Sequence, residues 1–366
     1  GPAAAAAGLP NTATFGDGGG LDIWGEDVYA ALGVASSMGL DWLAIEVDWA
    51  RHWPALDQPA DFSRLDYALQ AARQKQISVM LSLTNAPAWA MTANGPEPGF
   101  TNALLQSILN VYADIIQAVE LFPGVNTTAG WGTAPNPQAY LTMLQTVRQG
   151  CDAAGRGNVL VTSLAPLFSE NSAGSMSDRA FLENLYALGA MAYIPIIGIH
   201  YPDVMGAPMS DQSERFPLVL RHYEDIRALM LQYQHNRGMI WITSFTWPTT
   251  GTADPSDPLI LPATPAHQAQ WINQAFKLLQ AQLFIGTGFF SNLNDETLSP
   301  TTPVLFQTNG TIHPASVTIS QFSGGSITST TWTAPQNNRG TMLTSAANTT
   351  PAQVMNFLHF EGKPMK

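Results

Sequence analysis

The chain has 366 residues, of which 45% are hydrophobic and only 11% charged, with a formal net charge of -12. A large core can be filled, while the surface must consist mostly of uncharged polar residues, a composition that suits a secreted or cell-surface protein. The acidic balance, with no run of Lys or Arg, excludes nucleic acid and anionic lipid as partners, since each requires a basic patch.

Cys151 is the single cysteine, so neither an intrachain disulfide nor a cysteine metal cluster can form. The seven histidines show no paired metal spacing, and neither a metal nor an organic cofactor is expected. No stretch reaches the ~18 apolar residues that a membrane span needs. Residues 1–12 have no basic stretch followed by a long apolar core and are expected to form a flexible leader.

In chain order, the glycine-rich stretch 15–20 reads as the end of a first strand, near Gly16. An amphipathic helix at 26–38, closed by Gly39, precedes an apolar strand at 42–49. A helix from 61 to 76 is followed by a strand at 77–84, which runs into Asn85-Ala86-Pro87-Ala88-Trp89-Ala90. A long helix at 101–117 leads to an apolar run that ends in Phe122-Pro123-Gly124, and Asn136-Pro137 opens the next helix. Further strands are expected at 158–167, 194–200, 239–245 and 283–290, separated by helices at 178–191, 217–233 and 264–282. Pro314-Ala315 opens a closing helix, and beyond Gly324 the composition turns to Ser, Thr, Asn and Gly. This strand and helix rhythm predicts one (β/α)8 barrel over 13–323, with interior layers of Val, Ile, Leu and Phe. A short C-terminal appendage, 324–366, is expected to be ordered through Trp332, Met342, Met355, Phe357 and Phe360.

Several segments carry a more specific likeness. Glu120, Leu121, Phe122, Asn126, Trp131, Pro137 and Tyr140, together with Pro87-Ala88-Trp89-Ala90, His200-Tyr201 and Trp241-Ile242-Thr243, resemble the clan of retaining glycoside hydrolases built on (β/α)8 barrels, of the cellulase and xylosidase type (families 5 and 39). The resemblance implies an acid/base glutamate at position 124 and a nucleophilic glutamate at 244, where this chain has Gly124 and Ser244. It also implies an Asn at 123 and a bracing Arg at 44, where Pro123 and Ala44 stand.

Retaining hydrolysis needs two carboxyls ~5.5 Å apart. Neither Gly124 nor Ser244 can fill those roles in place, so the expected function is a catalytically inactive glycoside-hydrolase-like barrel. It would serve as an extracellular carbohydrate-binding or structural domain, with a glycan ligand or protein partners in a surface assembly. The alternative is an active hydrolase of O-glycosidic bonds with relocated carboxylates. Strand alternation places Glu46 and Asp48 on one face, and Glu120 on the face of Gly124. Glu170, Asp203, Asp295 and Glu296 occupy loops after strands. The residues expected to contact a glycan are Trp89, Asn126, Trp131, His200, Tyr201 and Trp247, with Trp49 completing an aromatic ring at the mouth. Asn126-Thr127-Thr128, Asn309-Gly310-Thr311 and Asn348-Thr349-Thr350 are glycosylation sequons.

Overall fold

A computed structural model describes residues 15–25, 28–169, 174–211, 217–249, 264–291, 293 and 312–332. The leader, Glu170, Asp295, Glu296, the sequons at Asn309 and Asn348, and the tail residues Met342, Met355, Phe357 and Phe360 lie outside the described residues.

Eight parallel strands close into a barrel: β1 Gly16–Leu21, β2 Trp42–Asp48, β3 Ser78–Thr84, β4 Ile116–Leu121, β5 Val159–Leu164, β6 Ile196–His200, β7 Met239–Phe245 and β8 Ile285–Phe290. The main helices are α1 Val28–Ser37, α2 Ser63–Gln74, α3 Pro98–Tyr112, α4 Pro137–Ala153, α5 Asp178–Ala187, α6 His222–Gln232, α7 Pro265–Gln280 and α8 Pro314–Ser323. The expected (β/α)8 architecture is thus present. Several boundaries differ: the glycine-rich stretch forms most of β1 rather than its end, α3 stops at Tyr112, so that 116–117 already belong to β4, α5 stops at Ala187, and α6 opens at His222 rather than at 217.

Local chemistry sets the helix starts. Pro98, Pro137, Pro265 and Pro314 each occupy a first-turn position, where the missing N–H costs nothing. Glu97, Asn136 and Thr264 accept backbone N–H bonds as N-caps, and Ser177 does the same for α5. Because each helix begins where a strand's loop ends, these caps fix the path of the chain around the barrel mouth.

The interior of the lower barrel includes Val, Ile and Phe as expected, but its largest members are two tryptophans. Trp42, Trp241 and Phe289 pack with Met80, Ala118, Val159, Val161 and Ile196. The two indoles meet edge-on at 5.2 Å between centroids. Such bulk fits because β1 supplies almost no side chains: a Cβ on Gly18 would lie 2.4 Å from Phe289 Cδ1, and one on Gly16 2.9 Å from Trp42. Large and small residues therefore compensate across the barrel axis.

The outer side of β1 carries a buried acid. Asp17, 5% exposed, gives its N–H to Asp41 Oδ2 at 3.4 Å and accepts from Asp41 N at 2.9 Å, while its own Oδ1 has no hydrogen-bond partner. The end of α8 covers it. Gly324 adopts φ 73°, and Ser326 N–H then donates to Ser37 O at 2.7 Å, seating Ile327 in the core and Trp332 against it. Burial, aided by the nearby Asp41 carboxylate and opposed by the Ser323 hydroxyl, pushes the Asp17 carboxyl up to about 7.

A carboxyl whose folded value is raised binds its proton more tightly in the native state, so its stabilising contribution is present at low pH and is lost as pH rises through about 7. Asp17→Asn should leave stability at pH 4 nearly unchanged. At pH 8 it should raise it, by at most about 4 kcal/mol. Thermal melts of both proteins across this range check the expectation, and equal melting temperatures at pH 8 would refute it.

Candidate functional site

Above the aromatic plug the barrel interior turns polar. Glu46 on β2, Ser82 on β3 and Glu120 on β4 stand side by side in register. With adjacent strands ~4.8 Å apart, the backbones of the two glutamates are roughly 10 Å from one another. Ser82 Oγ donates to Glu120 Oε2 at 2.6 Å, and Thr84 Oγ1 donates to Glu46 Oε1 at 2.6 Å. At the rim, Asn85 Nδ2 donates to Asp48 Oδ1 at 2.8 Å. Across the barrel, His200 Nδ1 lies 3.2 Å from Thr243 Oγ1, which lies 3.2 Å from Ser163 Oγ.

The two glutamates differ electrostatically. Glu120 is 1% exposed, and its Oε1 has no hydrogen-bond partner but sits 3.7 Å from His200 Nδ1, beyond hydrogen-bond length. Burial pushes its carboxyl up more strongly than any other influence. His200, Ser163 and Ser82 together outweigh that push and hold it below the ordinary glutamate value. Glu46 keeps its solvent contact at the mouth, yet the wall thins the water around its carboxyl and is the foremost cause of an upward shift. Thr84 and His200 oppose that shift, while Asp48 and Asp22 reinforce it.

The positions read as degenerate have their own geometry. Strand alternation stops at Leu121, because Phe122 adopts φ 52° and packs edge-on against Trp131. Gly124 therefore does not continue the face of Glu120, contrary to the alternation expectation. It has φ 71° and donates its N–H to Ser163 O at 2.9 Å. Ser244 is half-buried at the end of β7, paired with His200 after a register shift. Ala44 packs against the aromatic plug.

Of the residues expected to face a glycan, four are enclosed. Asn126 is fully buried: its Nδ2 donates to Ala165 O and Met176 O, and its Oδ1 accepts from Ala165 N, tying together the loops after β4 and β5. Trp131 donates to Asn94 O, Tyr201 to Val219 O and Leu220 O, and Trp247 to Gly206 O, each from within the core. Trp49 is fully buried as well. The mouth thus has no ring of five aromatics. Trp89 is half-buried on the loop after β3, packed edge-on against Trp53 and Phe100, and His200 retains 34% side-chain exposure. Asp203 is exposed in the loop after β6. Sequence reasoning missed Ser82, Thr84, Ser163 and Thr243. A signal existed in β3, where Met80, Ser82 and Thr84 alternate with Val79, Leu81 and Leu83 and turn polar toward the mouth.

A second cluster braces the loops after β5 and β6. His222, wholly buried at the start of α6, has Nε2 2.5 Å from Asp178 Oδ2 and Nδ1 3.1 Å from Asp225 Oδ2. Burial alone would depress the imidazole, but the two carboxylates raise it to about 9. Among the described residues no group of three or more His, Cys, Asp or Glu is arranged to hold a metal, and no helix is long and apolar enough to cross a membrane.

No family model matches the chain, and no curated protein matches it significantly. Solved structures do. A family 39 glycoside hydrolase from Bacteroides cellulosilyticus WH2 superposes with a TM-score of 0.61 at 12% identity, covering 88% of this chain and 65% of that one. GH5_18 from Streptomyces cattleya, solved in complex with GlcNAc, gives 0.60 at 13% identity, covering 95% and 92%. A GH128 endo-β-1,3-glucanase from Sorangium cellulosum gives 0.53 at 13% identity, covering 88% and 100%. The fold is that of the glycoside-hydrolase (β/α)8 barrels, and the chain spans just under two thirds of the family 39 structure.

Two measurements test the local physics. Gly124→Ala places a Cβ at ordinary contact distance from Thr127 and Ala165, so only its left-handed backbone is strained, and a loss of about 1 kcal/mol is expected by denaturant titration. An unchanged midpoint would refute the strain. For His222, the raised folded value means its contribution is full below pH 6.5 and disappears as pH climbs through about 9. That contribution is at most about 3 kcal/mol. Stability should fall over that alkaline window in the native protein, and the slope should flatten in His222→Gln.

Proposed function

We propose that this barrel binds carbohydrate at its mouth without turning it over, and that it acts outside the cell as a binding or assembly domain. The observation that carries this reading is what stands at two positions, one in the loop after β4 and one at the end of β7, where the resemblance to retaining hydrolases implies carboxyls. One holds Gly124, with no side chain and a left-handed backbone, and the other holds the short hydroxyl of Ser244. Losing one such group costs ~100- to 10,000-fold in rate, and on the resemblance both positions here lack it.

Binding needs neither group. Glu46, Asp48, Asn85 and His200 offer donors and acceptors at the mouth, and Trp89 offers a partly open indole for stacking on a sugar face. The superposed structures, one an endo-β-1,3-glucanase and one solved in complex with GlcNAc, support a saccharide as the ligand. The low content of charged residues supports an extracellular setting, and Trp332, seated half-buried on the barrel, is compatible with a C-terminal segment that joins an assembly.

A second reading, hydrolysis by relocated carboxyls, is favoured by one observation: Glu46 and Glu120 stand in register on β2 and β4 with Ser82 between them, in surroundings that push the first carboxyl up and hold the second down, as a general acid and an ionised partner require. Against it, Glu120 lies at 1% exposure beneath the mouth with one oxygen held by Ser82.

Calorimetry and reducing-end assays on glucans, mannans, xylans, galactans and glucosamine polymers separate the two. Binding without turnover is expected, with Trp89→Ala weakening it about tenfold. Turnover abolished by Glu46→Gln would establish the hydrolase instead, and neither binding nor turnover would end both readings.

A further inference from the structure

We propose that the ligand of this mouth is a glycan carrying free, protonated amino groups, such as a glucosamine oligomer. This rests on the carbohydrate-binding reading above and specifies its substrate class.

The charges around the mouth are one-sided. Asp22 follows β1, Glu46 and Asp48 lie on β2, and Glu120 lies beneath on β4, while His200 on β6 faces Glu46 and Glu120, and His52, which burial holds toward its neutral form, lies near Asp48. The first two arginines after β2 are committed elsewhere. Arg51 stacks on Trp24 at 3.9 Å, and Arg64 lies 5.3 Å from the same ring and donates to Ile23 O.

The second observation concerns the geometry at the inner end of that set. Glu120 Oε1 is enclosed, lacks a hydrogen-bond donor, and points into the barrel toward His200, which is itself open to the mouth. Glu120 itself lies out of a ligand's reach, but its negative charge stands directly behind His200, the group that a ligand at the rim would meet. An ammonium group supplies three donors and a compensating positive charge, whereas a hydroxyl supplies one donor and no charge. An N-acetyl group is bulkier and neutral, and a uronate would add a like charge to a chain whose net charge is already -12.

The upward shift of Glu46 fits the same picture. Desolvation comes first among its causes, and Asp48 and Asp22 then press the carboxyl toward its neutral form, with Thr84 and His200 pulling the other way. An arriving cation reverses that balance, so binding should expel a proton from Glu46.

The test uses the intact protein and four soluble tetrasaccharides: glucosamine, N-acetylglucosamine, glucose and galacturonate oligomers, titrated calorimetrically near pH 6. The glucosamine oligomer should bind at least about tenfold more tightly than the N-acetylated one, a difference of one decade in Kd. Its affinity should fall as salt is raised, since exposed charges are screened. Its heat should vary with the ionisation enthalpy of the buffer, reporting proton release. Glu46→Gln, at a solvent-contacting position, should keep the wild-type melting temperature and lose most of the preference. If the neutral or N-acetylated oligomers bind as well as the amine, this inference fails while carbohydrate binding stands. A salt-insensitive preference that persists in Glu46→Gln would also overturn it. If no oligomer binds, the carbohydrate-binding reading fails with it.

Discussion

The upper half of this barrel is organised around the need to keep one carboxylate, that of Glu120, charged at 1% exposure. Taking a carboxylate out of water costs several kcal/mol unless neighbouring groups replace the lost solvation. Ser82 comes from the strand on one side and Ser163 from the strand on the other. His200 completes the set from two strands further on, itself oriented by Thr243. Four strands therefore contribute polar residues at one height. The arrangement is intelligible only as a unit, since removing any member leaves the acid less compensated.

Below that layer the constraint is volume rather than charge. Two indoles and a phenyl ring fill the floor, and β1 answers with glycines where side chains would collide. The two layers depend on one another: a dry, close-packed floor excludes water from beneath Glu120, which is what makes its hydrogen bonds and its ion-pair partner consequential. The Asp178–His222–Asp225 cluster performs an equivalent task outside the barrel, where a charged imidazole joins the helices after β5 and β6.

Much of the fold was legible because parallel strands buried on both faces appear as apolar runs, and those runs ended at Thr84, His200, Phe245 and Phe290, where the strands end. The strand made of Gly16 to Leu21 carried no such signal, since its inward positions are glycines chosen by the bulk of side chains far away in sequence. The site was less legible for two physical reasons. Phe122 enters a left-handed conformation that its residue type does not advertise, which broke the alternation linking Glu120 to Gly124. Trp131, Tyr201 and Trp247 have amphipathic rings that suit a binding wall or a core equally well, and only the loop backbones that accept their protons decide between the two.

The contact between the α1–β2 turn and the end of α8 also sets how the molecule can be displayed. Phe15, just ahead of β1, touches Phe322 near the end of α8, and Ser326 bonds to Ser37, so the entry to the first strand and the exit from the last helix meet at the floor of the barrel. A surface, a resin or a fusion partner held against that face would grip the barrel from underneath. Its mouth would then point away from the support, toward whatever diffuses past.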